Sequence, residues 1–130
     1  MKIYVAGTIT NKDILMVYKF IKDSFTKLGH NVKTPLDTIE FCKTHNCKER
    51  FDKAMKEINE ADLVISEISG PSCGHGFEIG TLYSKGFKNV ILITSSSTYT
   101  SGILIGAYGE PIIYDTNNLT ELMSQLLKRI

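Results

Sequence analysis

The stretch DLVISEISGPSCGHGFEIG, residues 62–80, decides the fold because it joins an apolar run to a glycine-rich turn and then to a helix. Residues 62–68 predict a buried β-strand, and the Gly, Ser and Pro residues behind them must turn the chain before a helix opens near Gly76. Unpaired N–H groups and the helix dipole make such a helix start an anion-binding position. We therefore expect a phosphate or carboxylate ligand at this turn.

Glu78 places a carboxylate just beyond the glycines, in the first turn of the predicted helix. In one interpretation Glu78 only complements the helix dipole while Ser72 caps the helix, an arrangement common at such turns. In the other interpretation Glu78 is a functional carboxylate in a ligand site. The residues of the turn alone leave both interpretations open.

Strand-like and helix-like segments alternate along the whole chain. The predicted strands cover residues 2–6, 31–34, 62–68, 89–94 and 111–115. The predicted helices run from a cap at Asn11 to a stop at Gly29, then over 50–60, over 76–85, from 101 and over 118–128. This alternation predicts an α/β fold: a doubly wound, flavodoxin-like five-stranded parallel sheet with helices on both faces. Residues 36–49 are rich in polar side chains, and we interpret them as a mobile flap.

Ligands of doubly wound sheets bind beyond the carboxyl ends of the strands. Residues 4–10, 67–78 and 94–101 all follow or end predicted strands on that side of the sheet. We therefore expect three separated segments to converge on one crevice.

Composition bounds the class of protein. The chain has 130 residues, of which 42% are hydrophobic, which is enough for one core and too little for two ordinary domains. We expect a single domain over residues 1–130. The formal net charge of +1 gives no basic surplus for a nucleic-acid polymer. Without a signal peptide or a bilayer-length apolar run, we expect a cytoplasmic protein that makes no membrane contact.

Cysteine and histidine spacing does not predict a metal site. The three cysteines lack metal-ligand spacing and are expected to be reduced thiols: Cys42, Cys47 and Cys73. We expect Cys73 to pack rather than to act as a nucleophile, because the sequence places no base beside it. The histidines are scattered, and they are His30, His45 and His75. His75, inside the glycine turn, is equally compatible with contacting a ligand and with facing solvent. No metal or organic cofactor is expected.

The glycine-rich turn also carries a family resemblance. Seven of its residues fall in step with the nucleoside 2-deoxyribosyltransferase superfamily, and within it with the 2'-deoxynucleoside 5'-phosphate N-hydrolases: Glu67, Pro71, Ser72, Gly74, Gly76, Glu78 and Gly80. The segment IYVAGTI, residues 3–9, resembles the first strand and loop of that family, and residues 101–107 resemble a third, weaker segment. The likeness therefore runs over nearly the whole chain.

The resemblance implies an N-glycosidase that hydrolyses 2'-deoxynucleoside 5'-monophosphates to free base and deoxyribose 5-phosphate. Glu78 would be the nucleophile that forms a covalent glycosyl-enzyme, and Tyr4 would lie beside the sugar. The implied substrate- and phosphate-binding residues are Gly7, Thr8, Ile9, Thr10, Asn11, Ser72, Gly74 and Ser101. The resemblance also implies a homodimer in which Ser101 reaches the phosphate in the partner subunit's site.

Three positions refine what the resemblance implies. Ser72 stands where family members that act on free nucleosides carry an aspartate, which favours a phosphorylated substrate. Thr10 stands where the hydrolases usually carry an arginine, so phosphate binding is expected to be weaker. Ala54 stands where the family carries an aspartate that assists protonation of the leaving base.

Ala54 leaves the proton donor for the leaving base unassigned. The remaining carboxyl candidates are Asp52, Glu57, Asp62 and Glu67. Asp52 would project from the opposite face of its helix. Two alternatives to the hydrolase therefore stay open: a nucleoside 2-deoxyribosyltransferase, and a nucleotide-binding sensor that has lost its chemistry.

Overall fold

The protein is described by a computed structural model that covers residues 1–9, 11–95 and 101–130. Its strands are β1 (Lys2–Ala6), β2 (Asn31–Lys33), β3 (Leu63–Glu67), β4 (Val90–Thr94) and β5 (Ile112–Ile113). Within these described ranges they form one sheet in the order β2-β1-β3-β4-β5, and every paired strand is parallel. The predicted α/β, doubly wound, flavodoxin-like sheet is thereby confirmed.

The order of the strands fixes where a ligand can bind. From β1 the chain first moves outward to β2 and then crosses back to β3 on the other side of β1. The crossovers on either side of this switch point lie on opposite faces of the sheet, so a crevice opens at the carboxyl ends of β1 and β3. The turns after β1 and β3 carry most of the predicted site residues.

The described helices are α1 (Lys12–Lys27), α2 (Pro35–Cys42), α3 (Cys47–Asn59), α4 (Cys73–Ser84), α5 (Gly102–Tyr108) and α6 (Leu119–Arg129). Asn11 caps α1 as predicted, because its side-chain oxygen accepts a hydrogen bond from the N–H of Ile14 at 2.9 Å. Gly29 ends that helix with φ +84°, a conformation that L side chains rarely adopt.

The sheet separates two hydrophobic cores. Because side chains alternate along a strand, Ile3 and Val5 of β1 face α1 and α6, whereas Tyr4 and Ala6 face α3, α4 and α5. All five residues of β3 are buried, as expected of a central strand that is covered on both faces, and the first three of them are apolar. Tyr4 thus belongs to the core that α3 and α4 cover.

The predicted flap over residues 36–49 is wrong, because the structure forms α2 and the start of α3 there. Thr34 and Asp37 form a capping box at the start of α2, and Pro35 occupies its first turn. Asn46 and Glu49 form a second capping box, so α3 begins at Cys47 rather than at residue 50. Reciprocal caps and a proline compensate for the polar composition that suggested irregular chain.

Helix α4 also begins earlier than predicted, at Cys73 instead of Gly76. Ser72 caps it, with its hydroxyl accepting from the N–H of His75 at 3.3 Å, and the glycines lie inside the helix. Glu78 is therefore the sixth residue of α4, and the first turn of this helix holds no acidic residue. The interpretation of Glu78 as a mere complement to the helix dipole loses its basis, since the dipole effect falls off beyond the first turn.

Candidate active site

Glu78 and Tyr4 lie side by side between α4 and the sheet. Tyr4 is 7% exposed, and its hydroxyl donates a hydrogen bond to Oε1 of Glu78 at 3.2 Å. Burial raises the pKa of Glu78 to about 7, and the hydrogen bond from Tyr4 partly opposes that rise. Burial and the neighbouring Glu78 charge raise the pKa of Tyr4, which therefore stays a neutral donor. The pair combines a carboxyl whose pKa is near neutral pH with a hydroxyl held by a hydrogen bond, and perturbed pKa values of this kind are frequent in functional sites.

The start of α4 provides open donors close to this pair. The first N–H groups of an α-helix have no intrahelical acceptor. A side chain added at Gly74 would meet no atom within 4 Å, so the backbone there is open to an approaching group. Ser72 supplies a hydroxyl at the same helix start. This end of α4 can accept an anion, as the sequence predicted.

The turn after β1 is held from behind by Tyr18. The Tyr18 hydroxyl donates to the carbonyl oxygen of Thr8 at 2.7 Å. A Cβ at Gly7 would lie 2.3 Å from that hydroxyl oxygen and 3.0 Å from Cβ of Glu67, so only glycine fits without rearrangement. Thr8 is 7% exposed, and its Oγ1 has no hydrogen-bond partner among residues 1–9, 11–95 and 101–130. A buried, unpaired hydroxyl at the ligand edge is a donor that a bound group could use.

The other predicted residues of this turn lie less deeply. Ile9 is exposed, and the side chain of Asn11 is engaged in capping α1. Thr10 lies outside the described residues, as does 96–100 of the predicted third segment. Ser101 caps α5, with its hydroxyl accepting from the N–H of Leu104 at 3.4 Å.

Ser72 and Ser101 line a cavity of about 660 Å³ between α4 and α5. Cys73 and His75 also line it, whereas Tyr4 and Glu78 do not. The Tyr4–Glu78 pair is therefore not part of the wall of this cavity. Cys73 is exposed, so the expectation that it packs in a core is wrong. Within this chain the structure does not bring Ser101 to Glu78.

His75 is buried, which excludes the solvent-facing alternative. It is 5% exposed, and its Nε2 lies 2.8 Å from Oγ of Ser66 in β3. Burial lowers the pKa of His75 to about 4, so the imidazole is neutral at neutral pH. Residue spacing does not predict this contact, because Ser66 and His75 meet only when α4 folds back over β3.

Glu67 is the most deeply buried carboxyl near the site, and sequence reasoning did not foresee its contacts. Its Oε1 accepts from the Tyr114 hydroxyl at 3.1 Å, from the N–H of Ser69 at 3.1 Å and from the Ser69 hydroxyl. Its Oε2 is buried and finds no partner in the described part of the chain, and burial raises the pKa of the Glu67 carboxyl although these hydrogen bonds oppose the rise. Ser69 in turn accepts from the N–H of Ser95 at 2.8 Å. Glu67 therefore joins the turns after β3 and β4 to β5.

The remaining carboxyl candidates separate by position. Asp52 is exposed and pairs with Lys48. Asp62 is also exposed, and it accepts from the backbone N–H of Lys2 at 2.6 Å, at the opposite edge of the sheet from the site. Neither Asp52 nor Asp62 therefore lies at the candidate site.

Glu57 is the one of these candidates that faces the site from α3. It is half-buried, pairs with Lys53, and its charge contributes to the raised pKa of Tyr4. It follows Ala54 by three residues, which places the two on the same side of α3.

Metal-binding clusters and membrane-spanning helices are both absent from residues 1–9, 11–95 and 101–130. No group of three His, Cys, Asp or Glu residues there is arranged to hold a metal ion. None of the helices in that part of the chain is long and apolar enough to cross a membrane.

Comparisons with known proteins identify the family of the chain. The family model described as nucleoside 2-deoxyribosyltransferase matches residues 3–123. A protein of Thermofilum pendens that bears the name 2'-deoxynucleoside 5'-phosphate N-hydrolase 1 is 30% identical over 97 residues, which span 72% of this chain and 67% of the relative.

Two solved structures share the fold. The 2-deoxyribosyltransferase of Bacillus psychrosaccharolyticus superposes with a TM-score of 0.70 at 20% identity, over 92% of this chain and 90% of that one. The CMP N-glycosidase of Clostridium botulinum also gives a TM-score of 0.70, at 18% identity over 95% and 98% of the two chains. Because the family model matches most of its length, the chain belongs to the nucleoside 2-deoxyribosyltransferase family, and it is an enzyme of the N-glycosidase type.

Proposed function

We propose that the protein hydrolyses the N-glycosidic bond of 2'-deoxynucleoside 5'-monophosphates, with Glu78 as nucleophile. The observation that carries the proposal is the contact between buried Tyr4 and half-buried Glu78, with 3.2 Å between the hydroxyl and the carboxyl oxygen. Cleavage of this bond builds positive charge on C1', which a carboxylate can capture covalently. The name of the Thermofilum pendens relative supports the same substrate class.

The reaction divides into two balanced steps. A carboxylate oxygen of Glu78 bonds to C1' while the C1'–N bond breaks, and the bonding electrons leave with the base, which takes up a proton. Water then adds to C1', the ester bond to Glu78 breaks, and the carboxylate and deoxyribose 5-phosphate are released together with a proton. Tyr4 holds the attacking carboxyl in place and stays neutral throughout.

The phosphate is assigned to the helix start and the turn after β1. Ser72 and the open backbone at Gly74 offer donors on α4, and the buried Thr8 hydroxyl lacks a partner that a phosphate oxygen could supply. The proposed phosphate site also includes the other residues that the resemblance implied, Gly7, Ile9, Thr10 and Asn11. Neutral donors suffice for such a site, because a nest of N–H groups binds anions.

We assign Ser101 to the site of a second subunit in a homodimer. The structure does not bring the Ser101 side chain to Glu78 in one chain, and a partner copy could supply Ser101 to a phosphate bound near Glu78. A two-fold contact between identical faces would complete both sites at once. A purely monomeric protein in light scattering would contradict this assignment.

Incubation with each deoxynucleoside 5'-monophosphate, followed by chromatography, tests the function. We expect free base and deoxyribose 5-phosphate to appear equally with and without EDTA, and the matching ribonucleotides to react far more slowly because Tyr4 leaves little room beside the 2' position. Loss of activity in EDTA, or equal rates on both sugars, would refute the substrate assignment.

A nucleoside 2-deoxyribosyltransferase is the second candidate, favoured by the description of the matching family. The same incubation distinguishes it when a second base is added. A transferase forms the exchanged product and releases little sugar phosphate, whereas a hydrolase forms sugar phosphate at an unchanged rate.

The rate of base release should rise with pH through the pKa of Glu78. The carboxylate is the attacking form, and its pKa is about 7, so kcat/KM should fall about tenfold per pH unit below that value. The hydrogen bond from Tyr4 lowers this pKa, so Tyr4→Phe should move the acid limb to higher pH. Comparing both proteins on one substrate cancels the ionisation of the substrate phosphate. An unmoved limb would show that another group controls the profile.

A further inference from the structure

Two exposed aromatic side chains lie together next to the candidate site and belong to neither hydrophobic core. Phe51 on α3 is 45% exposed and Phe77 on α4 is 58% exposed. Their ring centroids are 6.0 Å apart, with the ring planes at 56°. Contiguous exposed apolar surface often marks a ligand or partner site.

The aromatic pair lies over the same gap between α3 and α4 that holds Glu78. Ile58, two turns after Phe51 on α3, packs in one buried cluster with Tyr4 and with Ile79 of α4. Phe77 directly precedes Glu78 in the sequence. The aromatic pair and the Tyr4–Glu78 contact are therefore neighbours between α3 and α4.

The two rings also lie near the same ends of their helices, on the side of the sheet where the strands end. Helix α4 starts at the carboxyl edge of β3, and α3, whose 13 residues span about 20 Å, returns the chain from that edge to the start of β3. Phe51 and Phe77 are each the fifth residue of their helix. They therefore lie toward the carboxyl edge of the sheet, where the crevice opens.

We propose that Phe51 and Phe77 form the surface on which the nucleobase of the substrate stacks. The inference rests on the proposed function, which assigns the phosphate to the start of α4 and C1' to Glu78. The base is the planar part of the nucleotide that remains, and aromatic rings bind bases through their π-faces whatever the base. The proposal therefore also predicts tolerance of all four bases.

The charged side chain of Lys48 contacts this surface. Its Nζ lies 5.4 Å from the centroid of the Phe51 ring, and its exposed side chain pairs with Asp52 on the surface. Surface pairs of this kind contribute little energy, so an entering base can displace the lysine at small cost.

Phe51→Leu and Phe77→Leu test the proposal because they keep an apolar side chain and remove the ring. We expect each variant to bind thymidine 5'-monophosphate about three- to tenfold more weakly, measured as an increase in Kd by calorimetry and in KM by kinetics. Deoxyribose 5-phosphate, which has no base, should bind each variant as it binds the wild type. Phe51→Tyr, which keeps the ring, should restore nucleotide affinity.

Leu127→Ala is the matched control, since Leu127 is 49% exposed on α6, which covers the other face of the sheet. It should change neither ligand. Unchanged nucleotide affinity in both leucine variants, or equal loss for nucleotide and sugar phosphate, would overturn the stacking surface. Because calorimetry needs no turnover, a protein that binds the nucleotide through these rings but releases no base would refute the proposed function and leave this inference standing.

Discussion

Glu78→Ala is expected to lower the rate of base release by about four orders of magnitude or more, because no neighbouring group can replace a lost nucleophile. Binding of the nucleotide should survive, since the phosphate and base are assigned to other residues. Rapid acid quenching followed by mass spectrometry should find deoxyribose 5-phosphate attached to the Glu78 peptide of the wild-type protein and none on the variant.

Asp52→Ala serves as the control for Glu78→Ala. Asp52 is an exposed carboxylate on α3 that pairs with Lys48, so its loss should change the rate less than about twofold. Glu78→Ala should also fold at least as well as the wild type at neutral pH, because it removes a carboxyl whose charge is disfavoured by burial. A folded Glu78→Ala protein that still released base near the wild-type rate would refute the mechanism.

Ser72→Asp should lower kcat/KM for deoxynucleoside monophosphates about a hundredfold while leaving the unphosphorylated nucleosides much less affected. A carboxylate at the start of α4 would face the substrate phosphate, and a like-charge contact in a desolvated site costs several kcal/mol. Parallel kinetics on thymidine and thymidine 5'-monophosphate measure the change in preference.

Ser72→Asn isolates the charge from the helix cap. Asn and Asp are equally good caps, so α4 should start at the same residue and with similar stability in both variants. Asn should retain most activity on the nucleotide, and Asp should not. If Asp and Asn reduced nucleotide and nucleoside activity equally, Ser72 would be structural and the phosphate would bind elsewhere.

The strands were predictable because their signals are local. The apolar runs of β3 and β4 and the cap and stop of α1 each depend on a few neighbouring residues, and their alternation implies the parallel sheet. Helix α2 was missed because its stability comes from a capping box and packing rather than from an apolar stripe. The start of α4 was misplaced because three glycines within residues 74–80 are typical of a turn, yet Ser72 and tertiary contacts hold them in a helix.

The site was only partly predictable from residue types. Tyr4 and Glu78 were paired through the family resemblance, and the structure places them in contact. The Ser66–His75 contact joins residues nine positions apart, and the Phe51–Phe77 contact joins residues much further apart. Such contacts depend on how helices lie against the sheet, which spacing in one sequence does not specify.

Glu78 and Glu67, whose pKa values are raised, take up protons when the chain folds, whereas His75, whose pKa is lowered, gives one up. An unfolded glutamate titrates near pH 4.5, whereas Glu78 in the folded protein titrates near pH 7, and the pKa of Glu67 is also raised. At pH 6 Glu78 and Glu67 therefore release protons when the chain unfolds while His75 takes one up, so the two contributions oppose each other in the dependence of the unfolding enthalpy on the ionisation heat of the buffer.

The sign follows from the raised pKa. Below about pH 4.5 both states are protonated and Glu78 costs nothing, and between there and pH 7 the folded state loses up to about 3 kcal/mol relative to the unfolded chain. At pH 6 Glu78→Gln, which carries no titrating proton, should release about one proton fewer on unfolding than the wild type, measured as the change in slope of unfolding enthalpy against the ionisation heat of the buffer. Ionisation of Glu78, which the nucleophile needs, thus lowers the free energy of unfolding. A substrate whose bonding to Glu78 removes that charge would raise it again.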